Sequence, residues 1–356
     1  MAQPGHGGAI LADELGQRFV RFAERECRGV STLYERLALG IADDPELLAI
    51  AARARPDQPP PNLLLAAVHL LLLKGAHHPL AAYYPSISPS ADPYADAFPA
   101  FRDFCLQQRE PLIALLETRI VQTNEVRRSA CLLPAFGKVA TRFGRPLALV
   151  ELGASAGLNL LFDRYQFDYG DGRQYGDIAS PVLIVCASHG HRVPPLPRQL
   201  PKVAWRVGLD LHPVDLRDPE EALWLRALVW PDHRIRAAVL ERAIEVARHD
   251  PPPLLAGDAA ELLPEVLANA PPDAALCVFH THTLNQLDES ARARLTAILE
   301  DHATHRDLGR VSIERLGTPE PPRLELVTYA SGQRTEQHLA NCDPHGGWID
   351  WVAGDD

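Results

Sequence analysis

The fold is decided by the stretch Leu147-Ala148-Leu149-Val150-Glu151-Leu152-Gly153-Ala154-Ser155-Ala156-Gly157-Leu158-Asn159-Leu160. Four apolar residues lead to an acid, small residues follow, and an apolar pattern typical of a helix then resumes. This order predicts a buried strand, a tight turn and the N-terminus of a helix. Such a turn presents backbone N–H groups and a helix dipole to a ligand at the carboxyl end of a parallel strand. It fits two chemistries, a cradle for a nucleotide-type cofactor or a nucleophilic serine at Ser155.

The composition is that of a globular protein, and its acidic charge favours a small-molecule partner over nucleic acid. The 356 residues carry a formal net charge of −11, which argues against broad contact with a nucleic acid backbone. The longest apolar run, residues 63–73, is interrupted by His69 and is too short to cross a bilayer. We expect no signal peptide. The six cysteines lack CxxC spacing, which predicts reduced core residues in a cytoplasmic protein.

Nearly all of the chain up to Phe143 has helical periodicity. This predicts an N-terminal helical domain over residues 1–143, with seven or eight helices. Near its end, Thr123 or Asn124 is expected to cap the helix 130–139. The segment 121–129 nevertheless contains more hydrogen-bonding side chains than a helix cap requires.

Residues 144–356 have the pattern of an α/β domain. Period-two alternation over 165–201 predicts antiparallel hairpin strands and a proline-rich linker inserted into this domain. Strands followed by helices then resume, and residues 324–339 have the pattern of a terminal antiparallel hairpin. Parallel strands with crossover helices predict a Rossmann-like three-layer sandwich around a mostly parallel sheet.

Three predicted strands end in an acid or lead directly to one, namely Glu151, Asp210 and Asp258. In an open parallel sheet the three acids line the same carboxyl edge, where ligands bind. An acid after the second strand can accept both hydroxyls of a ribose, and an acid after the third can accept an exocyclic amine. Asp at a strand end is also a common helix cap. The order and shared edge of the acids therefore carry the prediction of a ligand site.

This set resembles a class I S-adenosylmethionine-dependent methyltransferase. Residues 151–157 are similar to the first motif of that fold, with Ser155 where a glycine is usual, and the terminal hairpin also suits it. The long separation between Gly157 and Asp210 is a departure, which the inserted hairpin must absorb. The resemblance implies S-adenosylmethionine as the cofactor, bound by Glu151, Gly153, Ser155, Gly157, Asp210, Leu211, Asp258 and Ala259.

A second resemblance covers almost the entire chain. The chain is similar to the bacterial family called domain of unknown function 2332, which is grouped with methyltransferase-like folds and whose reaction is not established. The motifs that carry this resemblance are Tyr84-Pro85-Ser86, Gln122-Thr123-Asn124-Glu125-Val126, the opening stretch, Gly208-Leu209-Asp210-Leu211-His212-Pro213, Leu225 to Pro231 and Asp343-Pro344-His345-Gly346.

The candidate catalytic residues are His280 and Glu125. His280-Thr281-His282 follows the fourth predicted strand, where His280 can serve as a general base. His282 is expected beside the substrate, together with Tyr84, Asn124 and Arg128 from the helical layer, which would cover the site. The alternative is that Thr281 and His282 only bond to loop backbone. No closely spaced third ligand joins His280, His282 and Asp258 into a metal site, so no metal is expected.

A serine hydrolase is the rival enzyme class. Gly153-Ala154-Ser155-Ala156-Gly157 is a literal G-x-S-x-G between a strand and a helix, as in a nucleophile elbow. Asp258 and His280 follow in the order that a triad of this class requires. This interpretation leaves Glu151 and Asp210 without a role. A noncatalytic protein that binds the cofactor is a third alternative, and no methyl acceptor is indicated.

Overall fold

A computed structural model describes residues 6–92, 95–315 and 320–354, with side chains described from residue 13 onward. The chain divides into two compact units. The first, the helical unit, contains Met1–Thr123 and Pro219–Ala238. The second, the sheet unit, contains Asn124–Asp218 and Val239–Asp356. In the described part of the chain, no helix has both the length and the apolar character needed to cross a membrane.

The α-helices and strands run as follows along the chain. The helices are α1 (His6–Phe22), α2 (Thr32–Ala42), α3 (Pro45–Ala51), α4 (Pro60–Leu73), α5 (Phe98–Gln107), α6 (Arg109–Thr118), α7 (Arg128–Phe143), α8 (Pro219–Ala227), α9 (Arg234–His249), α10 (Ala259–Asn269) and α11 (Glu289–Ala303). The strands are β1 (Leu147–Leu152), β2 (Gln166–Asp168), β3 (Gln174–Gly176), β4 (Leu183–Val185), β5 (Ala187–His189), β6 (Val203–Asp210), β7 (Leu254–Ala256), β8 (Ala275–Thr281), β9 (Leu308–Glu314), β10 (Arg323–Ala330), β11 (Gln333–Cys342) and β12 (Trp348–Trp351).

The helical unit is built around α4, which is apolar on nearly all sides and almost wholly buried. A helix of this kind requires neighbours all around it, and α6 and α8 pack on it. Ser31 and Asp44 cap α2 and α3 by accepting hydrogen bonds from first-turn N–H groups. The predicted helical character of the N-terminal region is confirmed.

The sheet unit contains a nine-stranded sheet in the order β5-β12-β11-β10-β9-β8-β1-β6-β7. The strands β7, β6, β1, β8 and β9 are parallel, and β10 and β11 form an antiparallel hairpin on β9. An α/β fold with a large, mostly parallel sheet is therefore confirmed. Every residue of β1 is buried, because β1 lies in the middle of the sheet with parallel neighbours on both sides.

The segment 165–201 differs in part from the predicted hairpin. β2 and β3 pair antiparallel, as expected, but β4 pairs parallel with β2 on its other side. β5 leaves this small sheet and pairs parallel with β12 at the edge of the large sheet. Alternation along a strand predicts which residues face the core, but it does not predict the partner strand.

The two units do not divide the chain at residue 143, where the predicted domain boundary lies. α7 belongs to the sheet unit because it packs on β1, β8 and β9, and Phe136 contacts Phe279 with ring centroids 5.1 Å apart. The expected cap of this helix is also wrong. Arg127 occupies the cap position and makes no side-chain capping bond. Asn124 instead accepts a hydrogen bond from Leu158 N at 3.0 Å.

Candidate functional site

The carboxyl edge of the large sheet carries most of the predicted site residues. Glu151 pairs in register with Phe279, and Leu152 with His280. Because side chains alternate along a strand, Glu151 lies on the face that packs on Phe136 of α7. His280 lies on the opposite face with Leu152, which packs with the apolar side chains of α10 and α11. The sheet therefore places Glu151 and His280 on opposite faces.

The turn after β1 has the backbone conformation that its glycines allow. Gly153 and Gly157 have φ values of 70° and 69°, a region that L side chains rarely adopt. A Cβ atom on Gly153 would lie 2.5 Å from Thr283 Oγ1, and one on Gly157 would lie 2.8 Å from Pro252 Cγ. These two glycines are thus required by the packing of the chain on itself.

Ser155 lies inside this turn in a left-handed conformation, with φ 54°. Such a conformation is uncommon for a residue other than glycine and occurs often at functional sites. The side chain is buried, and Ser155 Oγ has no hydrogen-bond partner among the residues described.

Asp210 is bonded directly to the turn. Its carboxylate accepts hydrogen bonds from Ser155 N at 2.7 Å and from His212 N at 2.8 Å. Asp210 therefore joins the ends of β1 and β6. The next residue, Leu211, is 63% exposed, which is a high value for an apolar side chain beside a buried acid.

Asp258 caps α10, because its carboxylate accepts a hydrogen bond from Ala260 N at 2.7 Å. The side chain is exposed and the next residue, Ala259, is half-buried. The capping bond engages one carboxylate oxygen, Oδ1. The same Asp can cap a helix and also bind a ligand. The cofactor contacts of Asp258 and Ala259 therefore stay predictions.

Glu151 is the most deeply placed acid of this edge. Only 2% of it is exposed, and its Oε1 accepts a hydrogen bond from Asn159 Nδ2 at 3.4 Å. Asn159 Oδ1 in turn accepts from Ser129 Oγ of α7 at 2.9 Å. Glu151 Oε2 has no partner in the described chain. Burial, with a smaller contribution from the Asp210 charge, holds the pKa of Glu151 well above its ordinary value.

Residues 124–128, which lead into the first turn of α7, lie at the same edge. Arg128 donates from Nε to Pro344 O at 2.9 Å and from a terminal nitrogen to Thr281 Oγ1 at 3.3 Å. Glu125 is buried and lies 3.6 Å from the Nδ1 atom of His345. Asn124, Glu125 and Arg128 are thus brought to the edge by α7 as part of the sheet unit.

Glu314, at the end of β9, was not singled out from the sequence. One of its carboxylate oxygens, Oε1, accepts from His280 Nδ1 at 2.8 Å, Thr283 N at 2.9 Å and Leu284 N at 3.1 Å. These bonds hold the pKa of Glu314 below its ordinary value against the effect of burial. The available signal was an acid at the carboxyl end of a strand, because the other acids of the edge occupy the same position.

Several buried polar atoms without partners gather along this edge. Among the described residues, such atoms lie on the turn and at or just after the ends of β1, β8 and β9. They are Glu151 Oε2, Ser155 Oγ, His282 Nε2 and Glu314 Oε2. Buried polar groups nearly always have partners in folded proteins, and leaving one unpaired costs about 1–3 kcal/mol. Such a concentration at one edge is typical of a site that binds a polar ligand. Within the described ranges, no three His, Cys, Asp or Glu residues are arranged to hold a metal ion.

Tyr84 lies in the helical unit rather than the sheet unit. It is fully buried, and its ring centroid is 5.6 Å from that of His69. Its hydroxyl has no hydrogen-bond partner within the described part of the chain.

The helical unit also contains a cavity of about 480 Å³ between α4, α6 and the start of α8. The charged groups at its wall are already paired, Lys74 with Glu220 and Arg119 with Glu221. The cavity is therefore large enough for a small molecule, but the charged groups at its wall are paired, in contrast to the unpaired polar atoms at the sheet edge.

The comparison with known proteins concerns the chain as a whole. A family model described as an uncharacterized protein conserved in bacteria (DUF2332) matches residues 16–351. No curated protein matches the chain. The match extends over nearly all of both units and includes each motif that carried the resemblance at the level of sequence. The chain belongs to this bacterial family of uncharacterised proteins.

Proposed function

We propose that the protein is an S-adenosylmethionine-dependent methyltransferase that acts on a small molecule. One observation carries the proposal. Glu151, a buried acid with an unpartnered carboxylate oxygen, directly precedes the left-handed turn at the end of the central strand. A buried carboxyl group in this position requires a hydrogen-bond donor, which a cationic ligand carrying an amino group supplies.

The remaining residues of the edge fit the other parts of this cofactor. Asp210 lies at the end of the adjacent strand, where an acid accepts ribose hydroxyls. The exposed apolar side chain of Leu211 offers a surface on which an adenine ring can lie. The strand order supports the assignment as well, because five parallel strands centred on β1 continue into an antiparallel hairpin, as in the fold that the sequence resembles.

The cofactor supplies an electrophilic methyl group on a sulfonium, so the protein has chiefly to bind it and to align a nucleophile. Glu151, Asp210 and Leu211 would bind the cofactor in this assignment. Asn124, Glu125 and Arg128 lie at the same edge and would contact the substrate. Their roles follow from their position beside the turn and from the mixture of donors and acceptors that they offer.

Isothermal titration calorimetry tests the proposal. We expect both S-adenosylmethionine and S-adenosylhomocysteine to bind. Leu211→Ser should weaken binding by about tenfold through the loss of apolar contact, and it should leave the fold intact because the side chain is exposed. Asp210→Asn should weaken binding further. Asp250→Ala is the matched control, since this exposed acid of the sheet unit pairs with Arg164 at the surface.

The absence of binding by both compounds to the folded wild-type protein contradicts the proposal. Equal affinities of wild type and Leu211→Ser would remove Leu211 from the site. If binding is present but no methyl transfer occurs across a broad panel of acceptors, the protein is a cofactor-binding protein without turnover.

A serine hydrolase is the second candidate, favoured by the left-handed conformation of Ser155. A nucleophile elbow strains its serine in a sharp turn between strand and helix. A triad also requires a base bonded to the hydroxyl, and Ser155 Oγ has no such bond among the described residues. A fluorophosphonate probe should label Ser155 in a hydrolase and leave it unlabelled in a methyltransferase. Ser155→Ala is the control for labelling elsewhere.

A further inference from the structure

The residue after β8, His282, lies beside the turn that follows β1. Thr283, its neighbour, donates from Oγ1 to Leu152 O at 3.0 Å and packs against Gly153. His282 itself has φ 54°, so the chain reverses there instead of continuing the strand. This conformation is rare for a residue with a Cβ atom and persists only where the surroundings hold it.

The surroundings that hold it are Glu314 and His280. Glu314 accepts from Thr283 N and Leu284 N, which fixes the loop immediately after His282. It also accepts from His280 Nδ1, so the two side chains form one buried pair beneath the loop. His280 is on the face of the sheet opposite Glu151, whereas Thr281 bonds to Arg128. The pair of His280 and Glu314 is therefore a support for the loop.

The His282 imidazole is left available by this arrangement. Its Nε2 atom is buried and has no hydrogen-bond partner within the described ranges. Burial, together with the charge of Arg128, lowers the pKa of His282 to about 4. The ring is therefore neutral near pH 7 and carries one nitrogen lone pair that can accept a hydrogen bond.

Arg128 connects His282 with Glu151. Its charge acts on the pKa of both residues, and its bond to Thr281 places it next to the end of β8. Glu151, with its unpartnered oxygen, and His282, with its unpartnered nitrogen, are thus both within reach of the Arg128 charge. The first has been assigned above to the cofactor, which leaves the second for the other reactant.

We propose that His282 contacts the methyl acceptor, and that this acceptor is a hydroxyl or amine compound whose O–H or N–H group donates a hydrogen bond to the His282 ring. The inference rests on the proposed function and deepens it by naming the substrate class and its contact residue. It assigns to His282 the base role that the sequence suggested for His280, whose Nδ1 is engaged by Glu314.

The proposed step transfers the methyl group from the cofactor sulfur to the acceptor. One bond forms, between the acceptor oxygen or nitrogen and the methyl carbon, and one breaks, between that carbon and sulfur, whose electron pair remains on sulfur. The acceptor proton passes to the His282 ring and from there to solvent. An apolar carbon acceptor would leave the buried His282 nitrogen unpaired, at the cost that unpaired polar atoms carry.

The test uses sinefungin, an analogue of the cofactor that bears an amine in place of the sulfonium methyl. The amine occupies the position where the acceptor meets the methyl group, so a ring that faces this position gains a charge-assisted hydrogen bond. We expect calorimetry on the full chain to show sinefungin binding about tenfold or more tightly than S-adenosylhomocysteine. His282→Ala should remove that preference and change the affinity for S-adenosylhomocysteine by less than about twofold.

Two further variants make the result specific. His282→Gln retains a hydrogen-bond acceptor and should restore part of the preference for sinefungin. His249→Ala replaces an exposed histidine of α9 and should behave as wild type. Circular dichroism and the thermal midpoint of each variant establish that it is folded before binding is compared.

The outcomes separate this inference from the proposed function. Equal binding of sinefungin and S-adenosylhomocysteine, or a preference that survives His282→Ala, overturns the role of His282 and leaves the cofactor assignment standing. A folded protein that binds neither compound overturns the proposed function, and the assignment of His282 falls with it.

Discussion

Burial affects two histidines differently: His69 in the helical unit is fully buried, whereas His282 in the sheet unit is half-buried with a buried Nε2 atom. Burial lowers the pKa of His69 to about 3 and that of His282 to about 4. His69 Nδ1 donates to Ala227 O at 2.9 Å, which leaves Nε2 to accept from Ser86 Oγ at 2.8 Å. The Nε2 atom of His282 has no hydrogen-bond partner among the described residues. A low pKa thus reports burial, whereas the bonding partners distinguish a structural histidine from an available one.

The largest effect is expected from His69→Ala. The substitution leaves a cavity in the core of the helical unit and removes the partners of Ala227 O and the Ser86 hydroxyl. It should lower the free energy of unfolding by about 3–4 kcal/mol. Chemical denaturation followed by circular dichroism measures this loss. A loss below about 1 kcal/mol would mean that His69 is not a structural residue, and the comparison would no longer hold.

The turn itself provides the next test. Gly153→Ala introduces a Cβ atom at φ 70° and 2.5 Å from Thr283 Oγ1, so it should lower the free energy of unfolding by about 2–3 kcal/mol. Gly144 is the matched control, because it has φ 61° at the end of α7 with open space around it. Gly144→Ala should cost about 1 kcal/mol, from backbone strain alone. Equal losses at both positions would show that Thr283 moves away freely and does not hold the turn.

Glu151 adds a dependence on pH to the comparison. Its pKa is raised in the folded state, so the folded protein retains a proton that the unfolded chain loses above its ordinary pKa of 4.5. Its contribution to stability is therefore present below pH 4.5 and is lost as pH rises through the folded pKa. Glu151→Gln cannot ionise and retains an oxygen for Asn159. Its stability relative to wild type should increase from pH 4 to pH 8.

Denaturation of both proteins over that pH range measures the difference and cancels the titration of all other groups. A difference that stays flat with pH would show that Glu151 titrates in the folded protein as it does in the unfolded chain, so that burial does not disfavour its charged form. A bound partner would then be unnecessary for it, and the contrast between the open sheet edge and the closed helical unit would weaken.

The smallest effect on stability is expected at His282. Because its Nε2 atom has no hydrogen-bond partner among the described residues, His282→Ala should change the free energy of unfolding by no more than about 1 kcal/mol. The same measurement as for His69→Ala applies. A loss as large as that of His69→Ala would indicate that His282 is a structural residue after all. The contrast between the two histidines would then be wrong.

Local patterns in the sequence were sufficient for a large part of the fold. The β1 strand, the turn and the resumption of helix were all predictable because each depends on neighbouring residues only. The terminal hairpin was predictable for the same reason, and β10 and β11 pair as expected. All six cysteines are buried and free, as their scattered spacing indicated.

Features that depend on distant partners were not predictable in this way. The helical periodicity of α7 is the same whether a helix packs on helices or on a sheet, so its place in the sheet unit was missed. The parallel pairing of β5 with β12 joins residues far apart in the chain. The role of Glu314 depends on the pairing of β9 with β8, because Glu314 of β9 bonds to His280 of β8 and to Thr283 in the loop that follows β8.

The sequence alone determined that a buried strand leads through a glycine turn into a helix, and that acids stand at the ends of successive strands. It determined this because strand periodicity, turn conformation and residue type are local properties. Only the tertiary structure decided which of these groups have partners. Asp258 caps a helix, His280 is held by Glu314, and Glu151 and His282 each retain an unpaired buried atom. Whether a polar atom is paired depends on strand order and on the direction of each side chain, and the local sequence determines neither.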